Sequence, residues 1–137
     1  MIDALNMIKA VIAVSGMAAF FAYIINRLVV IISGDGAVKL LVPMVEEGLK
    51  TGFALGFAVP VLIVHMGFGI YEAIYDILAN PGVSRGRRWL AALLAFSGHS
   101  IFGWLTCFFL DLGIMSIVVI VLVGTVHGCW NIVALAK

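Results

Sequence analysis

Charge is scarce in this chain. Only 11% of its 137 residues are charged, eight basic against seven acidic, and a formal net charge of +1 carries no signature of a nucleic-acid partner. Cysteine is scarcer still. Cys107 and Cys129 both fall inside apolar runs, in neither disulfide-framework nor paired-ligand spacing, and read as small buried hydrophobes. No His-Glu-x-x-His metal motif, internal repeat or low-complexity stretch occurs. The three prolines, Pro43, Pro60 and Pro81, leave long stretches uninterrupted.

What is abundant is apolar surface: 64% of the residues are hydrophobic, more than a water-soluble domain of this size could bury. The expected fold class is all-α, a polytopic transmembrane bundle forming a single domain over residues 1–137. With about 20 apolar residues per span, breaks at Gly34-Asp35-Gly36, near Pro60, at Asn80-Pro81-Gly82 and at Asp111-Leu112-Gly113 predict five helices. They cover about 7–33, 37–59, 61–79, 86–110 and 114–136. The first is too long for a signal-peptide core and is expected to be a retained span. Pro43 is expected to kink helix two or to start its regular part. Arg27, Lys39, Arg85, Arg87, Arg88 and Lys137 fall on one side of this layout, with Lys9, Asp3 and Asp111 on the other. The positive-inside rule then puts the N-terminus outside and the C-terminus in the cytoplasm, in a cell membrane.

Against this background, polar groups inside the spans demand a reason, because an ionisable side chain in hydrocarbon costs at least about 2.5 kcal/mol and marks a functional site by default. They form four short motifs: Glu46-Glu47-x-x-Lys50, Phe68-x-x-x-Glu72, His99 and His127-x-x-x-Asn131. Counted from the cytoplasmic helix ends at about 1.5 Å per residue, Glu46, Glu72, His99 and His127 share one layer. Phe68 with Glu72, and His127 with Asn131, are i,i+4 pairs, and Lys50 is one turn from both glutamates, so each motif is a one-sided patch. Glycines beside them, Gly48, Gly52 and Gly56 on helix two and Gly67, Gly69, Gly98, Gly103, Gly124 and Gly128 elsewhere, would let helix backbones approach closely. Helices two to five are expected to surround the layer. Helix one, which has no deep carboxylate or histidine, should pack outside it, and His65 is expected near the opposite membrane surface, in an interfacial place.

These pieces, Val42-Pro43-Met44-Val45-Glu46-Glu47-Gly48-Leu49-Lys50, Phe68-Gly69-Ile70-Tyr71-Glu72, Gly98-His99-Ser100-Ile101-Phe102 and His127-Gly128-Cys129-Trp130-Asn131, resemble the glutamic intramembrane protease clan. Within the clan, which also holds the CAAX prenyl endopeptidases, Glu-Glu-x-x-Lys and the Glu of the second motif look like the PrsW branch. Asn131 departs from it, since PrsW sequences often have Asp there. The resemblance implies an endopeptidase that hydrolyses membrane-associated polypeptides with no cofactor or metal. Glu46 would be the base, assisted by His99, with His127 and Asn131 as oxyanion donors. Glu47 would orient the site or pair with Lys50, and Phe68 and Glu72 would support it or bind substrate, Glu72 alternatively holding a histidine or a metal. The expected partners are the bilayer and a membrane-protein or membrane-associated peptide substrate, with a homo-oligomer left open. Two other readings stand beside this one: a zinc protease using Glu46, Glu47, Glu72, His99 and His127, and a non-enzymatic proton pathway or immunity-type scaffold.

Overall fold

A computed structural model describes residues 3–79 and 81–134. Among them the protein is all-helical: α1 (Ala4–Ser33), a 3₁₀ turn (Asp35–Lys39), α2 (Leu41–Gly56), α3 (Val61–Ala79), α4 (Arg85–Asp111) and α5 (Ser116–Ala134). Four of the helices, α1, α3, α4 and α5, are long and apolar enough to cross a membrane, which makes this an integral membrane protein. Asn80 and Lys137, used above for the third connection and the charge bias, lie outside the described residues.

The helix boundaries have local causes. Asp3 caps α1 by accepting from the Leu5 N–H at 2.8 Å, and α1 stops where Gly34 turns to φ 77°. Gly113, at φ 76°, ends α4 in the same way. Arg88 reaches back from α4 to the Ile77 carbonyl at 2.8 Å, giving one of the orphan carbonyls at the end of α3 a charged donor.

Helix two departs from expectation. Instead of running over 37–59 it breaks at Leu40 (φ −139°, ψ −50°), leaving 16 residues of α-helix after the 3₁₀ turn. At about 24 Å it is shorter than the roughly 30 Å hydrocarbon layer. Pro43 lies in its first turn, where a missing N–H breaks no helical bond, and so marks its start rather than a kink.

Side-chain pairings give the helix directions. Tyr71 bonds the Ile12 carbonyl at 3.3 Å and Tyr75 meets Tyr23, so α1 and α3 are parallel. Phe53 meets Phe21 while Glu46 meets Asn26, so α2 runs against α1. α3 and α4 are antiparallel and close. A Cβ on Gly69 would lie 3.1 Å from the Phe96 Cα, and one on Gly103 would lie 2.6 Å from the His65 Cβ. α5 approaches the start of α2 at Gly124, opposite Met44, and at Gly128, opposite Lys39 and Leu40. The glycines of α2 itself have a different place: Gly52 and Gly56 face open space and Gly48 makes only an ordinary contact with Ile120. We expect Gly69→Ala to push α3 from α4 and lower stability by about 1–3 kcal/mol, measurable as detergent-phase thermal unfolding, with Gly52→Ala neutral or stabilising.

The bundle is polar inside and apolar outside. Ile32 (82% exposed), Leu78, Met115 and Val133 point outward, whereas the largest fully buried side chains are Lys50, His65 and Glu47. Such a surface suits lipid contact. Cys107 is half-buried and Cys129 exposed, so Cys129 is not the buried hydrophobe that its apolar neighbours suggest.

Candidate active site

The buried centre is a chain of charge-assisted contacts crossing all five helices. Lys50 is its hub. Its ammonium donates to Glu47 Oε1 at 2.5 Å and to His99 Nδ1 at 2.9 Å, and lies 4.6 Å from the Phe68 ring centroid. An ammonium has no lone pair, so His99 Nδ1 must accept, and the remaining imidazole proton sits on Nε2. That N–H donates to Glu72 Oε2. Of the roles open to Glu72, it therefore takes the one of holding a histidine. Phe68 fixes the same ring edge-on, centroids 4.9 Å apart.

His127 is set by the same logic from the other side. Its Nδ1 is 3.0 Å from Glu47 Oε1, and a carboxylate only accepts, so Nδ1 carries the proton. A neutral His127 then presents its Nε2 lone pair toward Glu46 Oε2, 3.9 Å away. Phe102 stacks on the imidazole at 4.5 Å and 26°, holding its plane. Glu46 is in turn held from α1: the Asn26 amide donates to Glu46 Oε1 at 2.7 Å.

Seven of the eight residues singled out in the sequence thus come together: Glu46, Glu47, Lys50, Phe68, Glu72, His99 and His127. Asn131 does not join them. Its amide donates to the Val38 carbonyl at 3.2 Å, fastening α5 to the 3₁₀ turn one helical turn beyond His127. Asn131→Ala should accordingly cost about 0.5–1.5 kcal/mol of stability and leave any cleavage rate near wild type, whereas His127→Ala should remove the rate.

Sequence reasoning missed Asn26, Phe102, Thr51 and His65. Helix one is not an outer wrapping, since Asn26 enters the site. An amide near the end of an apolar run was the available signal. His65 is not interfacial: it is fully buried, with Nε2 3.3 Å from Thr51 Oγ1 and Nδ1 3.6 Å from Glu47 Oε2. Depth counted from helix ends hid this contact, because it places His65 two turns from Glu72 and says nothing of the α2 side chains, Thr51 and Glu47, that reach it.

A groove of about 790 Å³ opens between α1, the start of α2 and α3, and reaches the centre at Glu46 and Glu72. Its walls include Phe20, Asn26, Arg27 and Phe68. Glu46, His99 and His127 also offer ligand atoms all within 4.8 Å of one another, a spacing that could hold a metal ion. An ion held here would displace one of the hydrogen bonds that His99 makes to Lys50 and Glu72.

A scan against protein-family models and searches of curated proteins and of solved structures gave no match to this chain.

Proposed function

We propose that the protein is an intramembrane endopeptidase of the glutamic type, hydrolysing membrane-associated polypeptides that enter the groove. The observation that carries this reading is the facing of two acceptors, Glu46 Oε2 and His127 Nε2, 3.9 Å apart, each held from behind, Glu46 by Asn26 and His127 by Glu47. With Glu46 ionised, as a base must be, two lone pairs meet there without a proton and repel. A water donating one hydrogen to each satisfies both and keeps its own lone pairs for attack.

In the proposed reaction the water oxygen bonds to the scissile carbonyl carbon as Glu46 takes one of its protons. The C–N bond then breaks, and the proton passes to the departing amine. Neutral His127 lacks a proton on Nε2, so the geometry favours it as the partner of Glu46 in holding the water, in place of the oxyanion role that the clan resemblance implied. His99, fixed between Lys50 and Glu72, becomes a support. The second N–H of the Asn26 amide, beside the one that Glu46 accepts, would serve as the oxyanion donor. Arg27, Lys39 and the Arg85–Arg88 cluster lie at one end of the bundle, and by the positive-inside rule that end would face the cytoplasm.

A second reading has one observation in its favour. Thr51 and His65 carry the polar chain beyond the shared layer, as a proton pathway would require. Next to Thr51 and His65 along α2 and α3, however, Ala54 and Val64 join Val14 and Val59 in a packed apolar cluster, which offers a proton no polar step. Liposomes loaded with a pH-sensitive dye should show no proton flux.

The protease reading is tested by cleavage of a membrane-protein extract with the purified protein. Prolonged chelation should leave the fragment yield unchanged, because no step draws on a metal-bound water. Cleavage that vanished on chelation and returned with zinc would replace glutamic by metal chemistry at the same residues.

A further inference from the structure

Glu47 is held on one oxygen by two donors, Lys50 and His127, and its other oxygen faces a residue that the proposed mechanism leaves unused. That residue is His65. Its Nδ1 lies 3.6 Å from Glu47 Oε2, both atoms are buried, and neither has a closer partner among the described residues. Because the Glu47 carboxylate only accepts, the favourable arrangement places the His65 proton on Nδ1, pointing at Oε2. His65 Nε2 then accepts from the Thr51 hydroxyl at 3.3 Å. Thr51 stands one helical turn beyond Glu47 on α2, so the relay returns to the helix that carries the carboxylate.

His65 is seated firmly enough for this work. It comes from α3, is fully buried, and rests against Gly103 of α4, where a Cβ would come within 2.6 Å of its own. A ring packed at this spot for volume alone would not need nitrogens facing a hydroxyl on one side and a carboxylate on the other. A second-sphere donor of this kind fixes the orientation of the group it touches, here Glu47, and through it the ring of His127.

We infer that His65 and Thr51 form a positioning relay that holds the Glu47 carboxylate in the plane that keeps His127 protonated on Nδ1, with its Nε2 lone pair toward Glu46. The inference rests on the protease reading for its effect on rate and on geometry alone for its effect on His127.

Two readouts separate these. The first is initial cleavage rate on a detergent-solubilised membrane-protein extract for wild type, His65→Asn, His65→Met, Thr51→Ser and Thr51→Val. Asn keeps an N–H donor near the Nδ1 position whereas Met keeps only apolar volume. The relay predicts that His65→Met loses about 10- to 100-fold in rate, that His65→Asn and Thr51→Ser recover most of it, and that adding Thr51→Val to His65→Met costs little more. Equal rates for His65→Met and wild type, or better rescue by Met than by Asn, would overturn it. The second readout is the nitrogen NMR of ¹⁵N-histidine-labelled protein in detergent, which needs no substrate. Wild-type His127 should be the Nδ1–H tautomer, and His65→Met should give a mixture. An unchanged His127 spectrum in His65→Met overturns the relay even if cleavage is never observed, whereas loss of the tautomer with no cleavage by wild type supports the relay and removes the protease reading. If His65→Met does not fold, Thr51→Val carries both measurements.

Discussion

Lys50→Met should be the most damaging single substitution to the folded state. The ammonium is fully buried and holds Glu47, His99 and the face of Phe68 at once, so its loss leaves the Glu47 carboxylate without a counter-charge, with the neutral His127 N–H on it and no access to water. Breaking a buried ion pair from one side typically destabilises by about 3–5 kcal/mol, because the remaining charge is left uncompensated. Unfolding of the detergent-solubilised variant, by heat or by titration with a denaturing detergent, measures this. The double variant Glu47→Gln with Lys50→Met should recover part of the loss, since it removes the stranded charge as well. If Lys50→Met were as stable as wild type, the hub drawn here would be wrong.

The second large effect concerns rate rather than stability. Glu46→Gln keeps the shape of the side chain and an oxygen able to accept from Asn26 at the same place, so the bundle should fold with little change in thermal stability. It removes the base. A group acting only in the transition state contributes about 100-fold or more when it is the proton acceptor or an oxyanion donor. We expect the cleavage rate to fall by at least that much. Asn26→Ala should show a loss of comparable size, because it removes the proposed oxyanion donor and frees one Glu46 oxygen while leaving the carboxylate in place.

The residues explain why some of this was readable in the chain and some was not. Gly34, Pro60, Pro81 and Gly113 punctuate apolar runs, and the ends of α1, α2, α3 and α4 and the starts of α3, α4 and α5 fall within a few residues of one of them. The shared depth of Glu46, Glu72, His99 and His127 was legible because antiparallel helices cross a membrane in fixed rise per residue. Asn131 was misplaced by the same arithmetic. A partner four residues on shares a face but lies about 6 Å further along the axis, which carries it out of the cluster to Val38. Asn26 escaped notice because an amide in an apolar run is a weaker signal than a charge, yet it alone ties α1 to Glu46 by a hydrogen bond among the described residues. His65 lies two turns from Glu72 on α3, and only the packing of α2 against α3, which brings Thr51 and Glu47 to it, shows that this depth still belongs to the polar chain.

Under the proposed function, the groove would give these residues a way to meet a substrate. It is lined by α1, α3 and the start of α2, and Glu46 lies in its wall together with Arg27 and Phe20. A polypeptide lying there would pass its backbone beside the carboxylate while its side chains stayed against apolar walls, which suits a segment extracted from lipid.

The most direct measurement of the central claim is cleavage in water enriched in ¹⁸O. Purified wild-type protein and Glu46→Gln, each in liposomes, are incubated with a membrane-protein extract, and the fragments are read by mass spectrometry. Hydrolysis at this site predicts new C-termini in or beside apolar segments, each carrying ¹⁸O in the new carboxylate, from the wild type and not from Glu46→Gln. No new termini with the wild type, or the same termini from Glu46→Gln, would contradict it.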